Sequence, residues 1–362
     1  MPSPLGKVPQ WAHWGGRGKR QMYLAKHPEN LNNFYLSRPR YRSATLPRGE
    51  GICPTNGNLK EGADMGIYSD ILLTVDYDRT LTAPDSSIPK RNLEAIEYFI
   101  AEGGTFTVNT GRSIPMSRCF LDKVPVNAPL LLYNGSGWYD PQNRELVRSY
   151  PIGLDASALL RDLQSRYPKL TVEVQGVRHH YIFGKNRIWE DYCTHNGASW
   201  AYGDLDAVEQ PFLKAAIYGT FEDENVSSMY KAVPWEMEMM EDAIGYLQTK
   251  YADQVALFRA CPRILDIHAK GCSKLQTARD LQQAFGKKIL VCVGDAENDL
   301  DMLRGADLAF CPADGIVADR FPNVCPCAQG AVADVIYEKI PAILEKSPPS
   351  WKIDLDKARF LC

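Results

Sequence analysis

No stretch of this chain approaches the roughly 18 to 20 apolar residues that cross a bilayer, so a membrane span is not expected. The N-terminus has no apolar core followed by a small-residue cleavage site, so a secretory signal is not expected either. Neither charge sign dominates. A formal net charge of −3 gives no global pull toward nucleic acid or a membrane surface. Internal repeats and low-complexity tracts are missing. The ten cysteines are scattered, and Cys292 and Cys311 lie in or beside apolar runs. That fits reduced, packed thiols in a cytoplasmic protein rather than a disulfide framework. The closest pair, Cys325-Pro326-Cys327, lacks the spacing of a zinc site and has no second pair to complete one. What remains is an ordinary globular composition, 45% hydrophobic over 362 residues, long enough for two domains.

Residues 1–67 differ from the rest. They are rich in Pro, Gly, Arg, Asn and aromatics and show no useful periodicity. Basic residues from Lys7 to Lys60 outnumber Glu29, Glu50, Glu61 and Asp64. Basic character with interleaved Trp and Tyr is one way to touch nucleic acid. The composition is better read as a disordered or loosely docked tail, or as sequence upstream of a start at Met65, and no nucleic-acid partner is expected. From residue 71 the pattern becomes regular. Residues 71–75 read as a buried strand, 89–102 as a helix stopped by Gly103-Gly104, 105–109 as a second strand and 130–133 as a third. Strands alternating with helices predict an α/β domain with a parallel sheet. The middle, about 150–265, places several strands next to one another without a helix between, which favours antiparallel pairing and a separate α+β domain. The first pattern then resumes: a helix opened by Ser273, a strand over 288–293, another over 308–311 and a final helix from 330. The expected organisation is a discontinuous core, 68–149 and 266–346, an inserted domain, 150–265, and a C-terminal tail, 347–362.

Four polar signatures fall at the ends of these elements. Asp76-Tyr77-Asp78-Arg79-Thr80 follows the first strand and Thr110-Gly111-Arg112 the second. Lys274 opens a helix after the insertion, and Gly294-Asp295-Ala296-Glu297-Asn298-Asp299 follows a late strand. In an open α/β sheet these ends border the ligand crevice. Two carboxylates two residues apart suit attack on a phosphoryl group. One is a nucleophile, the other carries protons, and both help to hold a hard Mg²⁺ ion. Thr110 can donate through its hydroxyl. Lys274 brings a point charge at a helix start, where free N–H groups and the dipole favour anions.

In this order and setting the motifs resemble the haloacid dehalogenase superfamily of phosphohydrolases. Asn134-Gly135, the insertion, Gly294-Asp295-x-x-Asn298-Asp299 and the ending Gly330-Ala331-Val332-Ala333-Asp334 are most similar to its subfamily IIB, the Cof-type branch. The resemblance covers roughly residues 68–345. It implies a Rossmann-like parallel-sheet core with an inserted type C2 cap. It also implies hydrolysis of small, sugar-phosphate-like metabolites through an aspartyl-phosphate. Asp76 would be the nucleophile and Asp78 the general acid and base. Thr110, Gly111, Lys274 and Arg112 would bind phosphate, with Arg112 either reaching substrate or only bracing its loop. Mg²⁺ would be held by Asp76, the Asp78 carbonyl and Asp295, with Asn298 and Asp299 in or beside its outer shell.

Two positions depart from the family pattern: Arg79 and Leu275 stand where relatives usually keep glycine. Gly135-Ser136-Gly137 lacks the third glycine of a dinucleotide fingerprint and is read as a link into the insertion. His179-His180, Arg187 and Trp189 are read as packed or solvated rather than substrate-facing, and Asn225-Val226-Ser227 is an acceptor sequon without consequence unless secreted. A phosphomutase of the phosphomannomutase type shares this core and is the alternative function. A non-catalytic binding protein is disfavoured by the intact Asp76, Asp78, Lys274 and Asp295.

Overall fold

The computed structural model describes residues 66–153, 156–184, 186–203, 208, 212–219, 233–261 and 263–346. The expected tails before residue 66 and after 346, and the Asn225-Val226-Ser227 sequon, lie outside the described residues. Five strands form a wholly parallel sheet in the order Asn323–Val324, Leu308–Pro312, Ile289–Val293, Ile71–Val75, Thr105–Val108. The central strands are apolar without alternation because both faces of the sheet are covered. Leu73, Val75, Phe106, Val108, Val291 and Val293 pack with Ile96, Phe99 and Ile336 on one face. Leu72, Leu290 and Cys292 pack with Ala278 and Leu281 on the other. Full burial of each large aliphatic side chain contributes about 1.5–3 kcal/mol.

The register of this sheet positions the site. Val75 lies opposite Val293 on one side and Val108 on the other. The residues that follow these three valines therefore leave the sheet side by side at its C-terminal edge. Asp76, Gly294-Asp295 and Asn109-Thr110 become spatial neighbours although more than two hundred residues separate the first two in sequence.

The third strand is a correction. The alternation of strands and helices predicts residues 130–133 within the parallel sheet. Leu130–Leu132 instead pairs antiparallel with Gly137–Asp140, which pairs with Glu145–Ser149, in a separate three-stranded sheet. It meets the parallel system at an isolated parallel bridge, Asn109 to Leu131, and through hydrogen bonds such as Thr110 N to Leu131 O. The cause is local: Tyr133, Asn134 and Gly135 all have positive φ (55°, 51° and 96°), which turns the chain back on itself. Gly137, read as part of a link, accordingly begins a strand.

A second sheet of six strands runs Val255–Cys261, Ile264–Ala269, Lys214–Tyr218, Thr171–Gln175, His180–Phe183, Trp200–Tyr202. All its pairings are antiparallel except the last. Ile264–Ala269 runs past residue 265, where the sequence reading ends the insertion. Val172, Val174, Ala215, Ile217, Leu265 and Ile267 pack against helices Ala156–Arg166 and Pro234–Lys250. Between them, by the period-two rule of strands, Glu173, Gln175, Lys214, Asp266 and His268 turn to the other face, where they are also buried. The fold is thus a Rossmann-like parallel-sheet core carrying an inserted α+β region. Among the described residues, no helix is long and apolar enough to cross a membrane.

Candidate active site

Asp76 is the first residue beyond its strand, and its carboxylate is almost wholly buried. Lys274 Nζ donates to Asp76 Oδ1 and to Asp299 Oδ1, each at 2.6 Å. Ser273 caps the Lys274–Ala284 helix by accepting from Gln276 N, so Lys274 stands at its first turn. The lysine is 1% exposed, which excludes a solvated surface role. Burial opposes its charge, but Asp299 and Asp76 more than compensate and hold its pKa above the usual lysine range.

Asp295 follows Ile289–Val293 and accepts from the Thr80 hydroxyl at 3.0 Å. Asp299 accepts from the backbone N–H groups of Asp295 and Ala296 at 3.0 and 3.1 Å, which folds the 294–299 loop around its own carboxylate. A Cβ on Gly294 would lie 2.7 Å from the Asp299 side chain, so this close approach requires glycine. Asp76, Asp295 and Asp299 each present an oxygen within 4.8 Å of the others. Burial, opposed by Lys274 and reinforced by Asp299 and Asp78, pushes the Asp76 carboxyl up to about 7. Burial and the charges of Asp76 and Asp299 raise Asp295 as well. Three buried carboxylates around one ammonium leave an excess of negative charge, and all the donors are oxygen. This donor set fits a hard divalent cation.

The remaining candidates line one cavity of about 180 Å³ with Asp76 and Asp295: Asp78, Thr110, Gly111, Arg112 and Asn298. Thr110 is buried, and its Oγ1 accepts from Arg112 N at 3.2 Å. A Cβ on Gly111 would lie 2.8 Å from Asn134 Oδ1. Asn298 is half-buried beside Asp295 but lies outside the acidic trio. Arg112 takes Asp78 in a two-pronged ion pair, Nε to Oδ2 at 2.8 Å and Nη2 to Oδ1 at 2.7 Å. Its guanidinium also sits 4.9 Å over the Tyr77 ring. Arg79 is exposed at the cavity with φ 59° and ψ 9°, a left-handed conformation that glycine adopts without strain.

The inserted region supplies the opposite wall from its sheet and from helix Arg187–His195, whose Trp189, expected to be packed or solvated, is packed and lines the cavity. Gln175, Trp189, Tyr192, Lys214, Tyr218 and Asp266 line the same cavity. Lys214 pairs with Asp266 at 2.7 Å and reaches Gly111 O at 3.4 Å. Asn134 donates to Asp266 at 3.0 Å. Burial raises the Asp266 pKa although Lys214 opposes it, and burial next to Lys214 keeps His268 well below the usual histidine range. Sequence reasoning assigned Lys214, Asp266 and Gln175 no part in the site. Their one signal was a polar or charged residue alternating with apolar ones along a strand.

His180 is fully buried, not substrate-facing. Its Nδ1 meets Glu173 Oε1 and its Nε2 meets Ser113 Oγ, both at 2.7 Å. Glu173 also accepts from Trp189, Gln175 and Tyr218. Burial opposes its charge, but His180 and these donors keep its pKa below the usual carboxylate range. Cys193 lies beside His180. These distances are those of a satisfied hydrogen-bond network. His179 and Arg187 are exposed, and neither lines the cavity.

The family model for haloacid dehalogenase-like hydrolases matches residues 73–318, more than half of the chain. The 5-amino-6-(5-phospho-D-ribitylamino)uracil phosphatase YitU of Bacillus subtilis is 24% identical over 254 residues, covering 68% of this chain and 88% of that protein. A haloacid dehalogenase-like hydrolase from Bacteroides thetaiotaomicron superposes with a TM-score of 0.63 at 17% identity, covering 75% of this chain and 99% of that one. The HAD subclass IIB sugar phosphatase BT4131 gives 0.59 at 16%, covering 75% and 99%. The parallel-sheet core and its acidic strand ends define a hydrolase of the open α/β type. The chain belongs to the haloacid dehalogenase-like hydrolase family.

Proposed function

We propose that the protein hydrolyses small, sugar-phosphate-like monoesters through an aspartyl-phosphate on Asp76, with Mg²⁺ as cofactor. The observation that carries this reading is the Lys274 ammonium 2.6 Å from both Asp76 and Asp299 inside the trio completed by Asp295. Asp76 attacks phosphorus, the bond to the leaving oxygen breaks, and Asp78 delivers a proton to that oxygen. Asp78 then takes a proton from water as the water attacks phosphorus and the Asp76–phosphorus bond breaks. Thr110 and the N–H groups of its loop receive the phosphoryl oxygens, while Lys274 offsets their charge. Asp76, the Asp78 carbonyl and Asp295 would hold Mg²⁺, with Asn298 and Asp299 in or beside its outer shell, and the ion would supply further neutralisation of the transferring group.

The discontinuous core and the cap over about 150–265 divide the work. The cap wall of Gln175, Lys214 and Asp266 meets the leaving group and excludes water. The buried free thiols Cys193, Cys272, Cys292, Cys311 and Cys327 are consistent with a reducing cytoplasmic setting. The test is p-nitrophenyl phosphate turnover with and without Mg²⁺ for wild type and Asp76→Asn. Turnover that depends on both supports the reading, and equal activity in the two proteins overturns it. Isomer formation in place of phosphate release would favour the phosphomutase alternative.

A further inference from the structure

Three consecutive residues of the phosphate loop are each gripped by the cap. Lys214 Nζ reaches Gly111 O at 3.4 Å, Asn196 Oδ1 accepts from Arg112 Nη1 at 3.0 Å, and His180 Nε2 meets Ser113 Oγ at 2.7 Å. The middle contact differs from the other two because Arg112 goes on to hold Asp78. Arg112 is 7% exposed, and its remaining contacts fix its plane. Two nitrogens take the two oxygens of Asp78, Nη1 takes Asn196 at 3.0 Å and, at longer range, Met116 O at 3.5 Å and Cys119 Sγ at 3.4 Å, and the guanidinium lies on the Tyr77 ring, which itself stacks on Phe120 at 4.2 Å. Asp78 is the exposed member of this chain, with its side chain 45% accessible at the cavity. A planar fork that binds a carboxylate through both oxygens sets the carboxylate's plane as well as its position. Asn196 terminates the Arg187–His195 helix of the cap, and its own Nδ2 donates to Tyr192 O at 2.9 Å. The asparagine thus has one donor anchored in the cap and one acceptor aimed at the core.

We infer that Asn196 is a positioning residue for the proton-transfer step: through Arg112 it aligns the Asp78 carboxyl with the leaving oxygen only while the cap is seated on the core. The inference rests on the function proposed above. It gives the cap a task beyond substrate choice, because seating the cap completes the geometry of a core carboxylate. A misaligned acid costs most when the leaving oxygen is basic and needs its proton early.

The experiment compares phenyl phosphate with p-nitrophenyl phosphate, esters of like shape whose leaving groups differ in basicity, in the full chain with Mg²⁺. Asn196→Ala is expected to lower kcat by about tenfold on phenyl phosphate and about twofold on p-nitrophenyl phosphate. Asn196→Asp keeps the acceptor toward Arg112 and drops the donor toward Tyr192, so it is expected to stay within about threefold of wild type on both esters. If Asn196→Ala fails to fold, Arg112→Lys takes its place, keeping the charge but losing the fork, with the same unequal loss expected. Equal losses on the two esters, no loss, or an Asn196→Asp variant as impaired as Asn196→Ala overturns the inference. Wild-type turnover that survives Asp76→Asn overturns the proposed function itself. Asp76-dependent turnover with an unaltered Asn196→Ala overturns this inference alone.

Discussion

In the parallel sheet, sequence neighbours such as Leu72 and Leu73 are both buried in apolar clusters on opposite faces. In the cap sheet, Val172 and Glu173 are also neighbours and also buried, but one joins an apolar cluster and the other a polar network. The core sheet admits only threonines, Thr74, Thr105 and Thr107, as polar residues within Ile71–Val75 and Thr105–Val108, and places its charged chemistry at the strand ends. The cap sheet sets buried polar groups, Glu173, Gln175, Lys214, Asp266 and His268, among apolar ones across one face. Strand ends set by pairing register give positions for a few reacting atoms. A face gives many positions, each changeable without moving its neighbours, which suits a surface that must match a ligand.

The comparison can be broken at several points, from the strongest effect downward. Asp76→Asn removes the group at a core strand end and is expected to cut turnover by more than about a thousandfold while leaving the thermal unfolding transition intact. Lys214→Met on the cap face leaves Asp266 buried without its cation, and a loss of about 3 kcal/mol in urea unfolding is expected. Adding Asp266→Leu should restore most of that loss. If the single variant is as stable as wild type, the pair is not a structural part of this face.

Mg²⁺ is expected to raise unfolding stability by about 2.7 kcal/mol at a hundredfold excess over its Kd. The sign of the pH effect follows from Asp76, whose pKa is raised to about 7. Without metal, the contribution of the protonated form is present below the ordinary carboxylate pKa and is lost as pH rises through about 7. Binding requires the carboxylate, so the Mg²⁺ gain in melting temperature should be larger at about pH 8 than at about pH 6. An equal gain at both, or an undiminished gain in Asp76→Asn, would remove Asp76 from the metal site. Last, Arg79→Gly relieves a left-handed non-glycine residue and should stabilise by about 0.5–1 kcal/mol. A loss of stability instead would mean that the arginine side chain holds the loop.

The core was more legible in the sequence than the cap, for a physical reason. Unbroken apolar runs such as residues 71–75 and 289–293 announce buried parallel strands, and the polar residues just beyond them mark the crevice. The sequence reading misses the reversal after Leu132 although Asn134-Gly135 is a common turn pair, and only the positive φ of Tyr133 has no sign in the sequence. The Arg112–Asp78 pair could not be chosen over a substrate contact, since the loop gives both options and only tertiary packing selects one. Lys214 and Asp266 stand about fifty residues apart on strands that pair directly. Their partnership depends on a strand order that single-sequence periodicity does not supply.

The pairing of Ile71–Val75 with Ile289–Val293 has a consequence for how this enzyme can change. A slip of one residue would move Asp76 about 3.3 Å along the strand away from Asp295 and exchange the two faces of the sheet. The apolar strands therefore act as a ruler with a tolerance of less than one residue. The stretch looped out over about 150–265 can be lengthened, traded or rewritten more freely than Thr110 and Lys274 on either side of it, provided it returns the chain to the same mark.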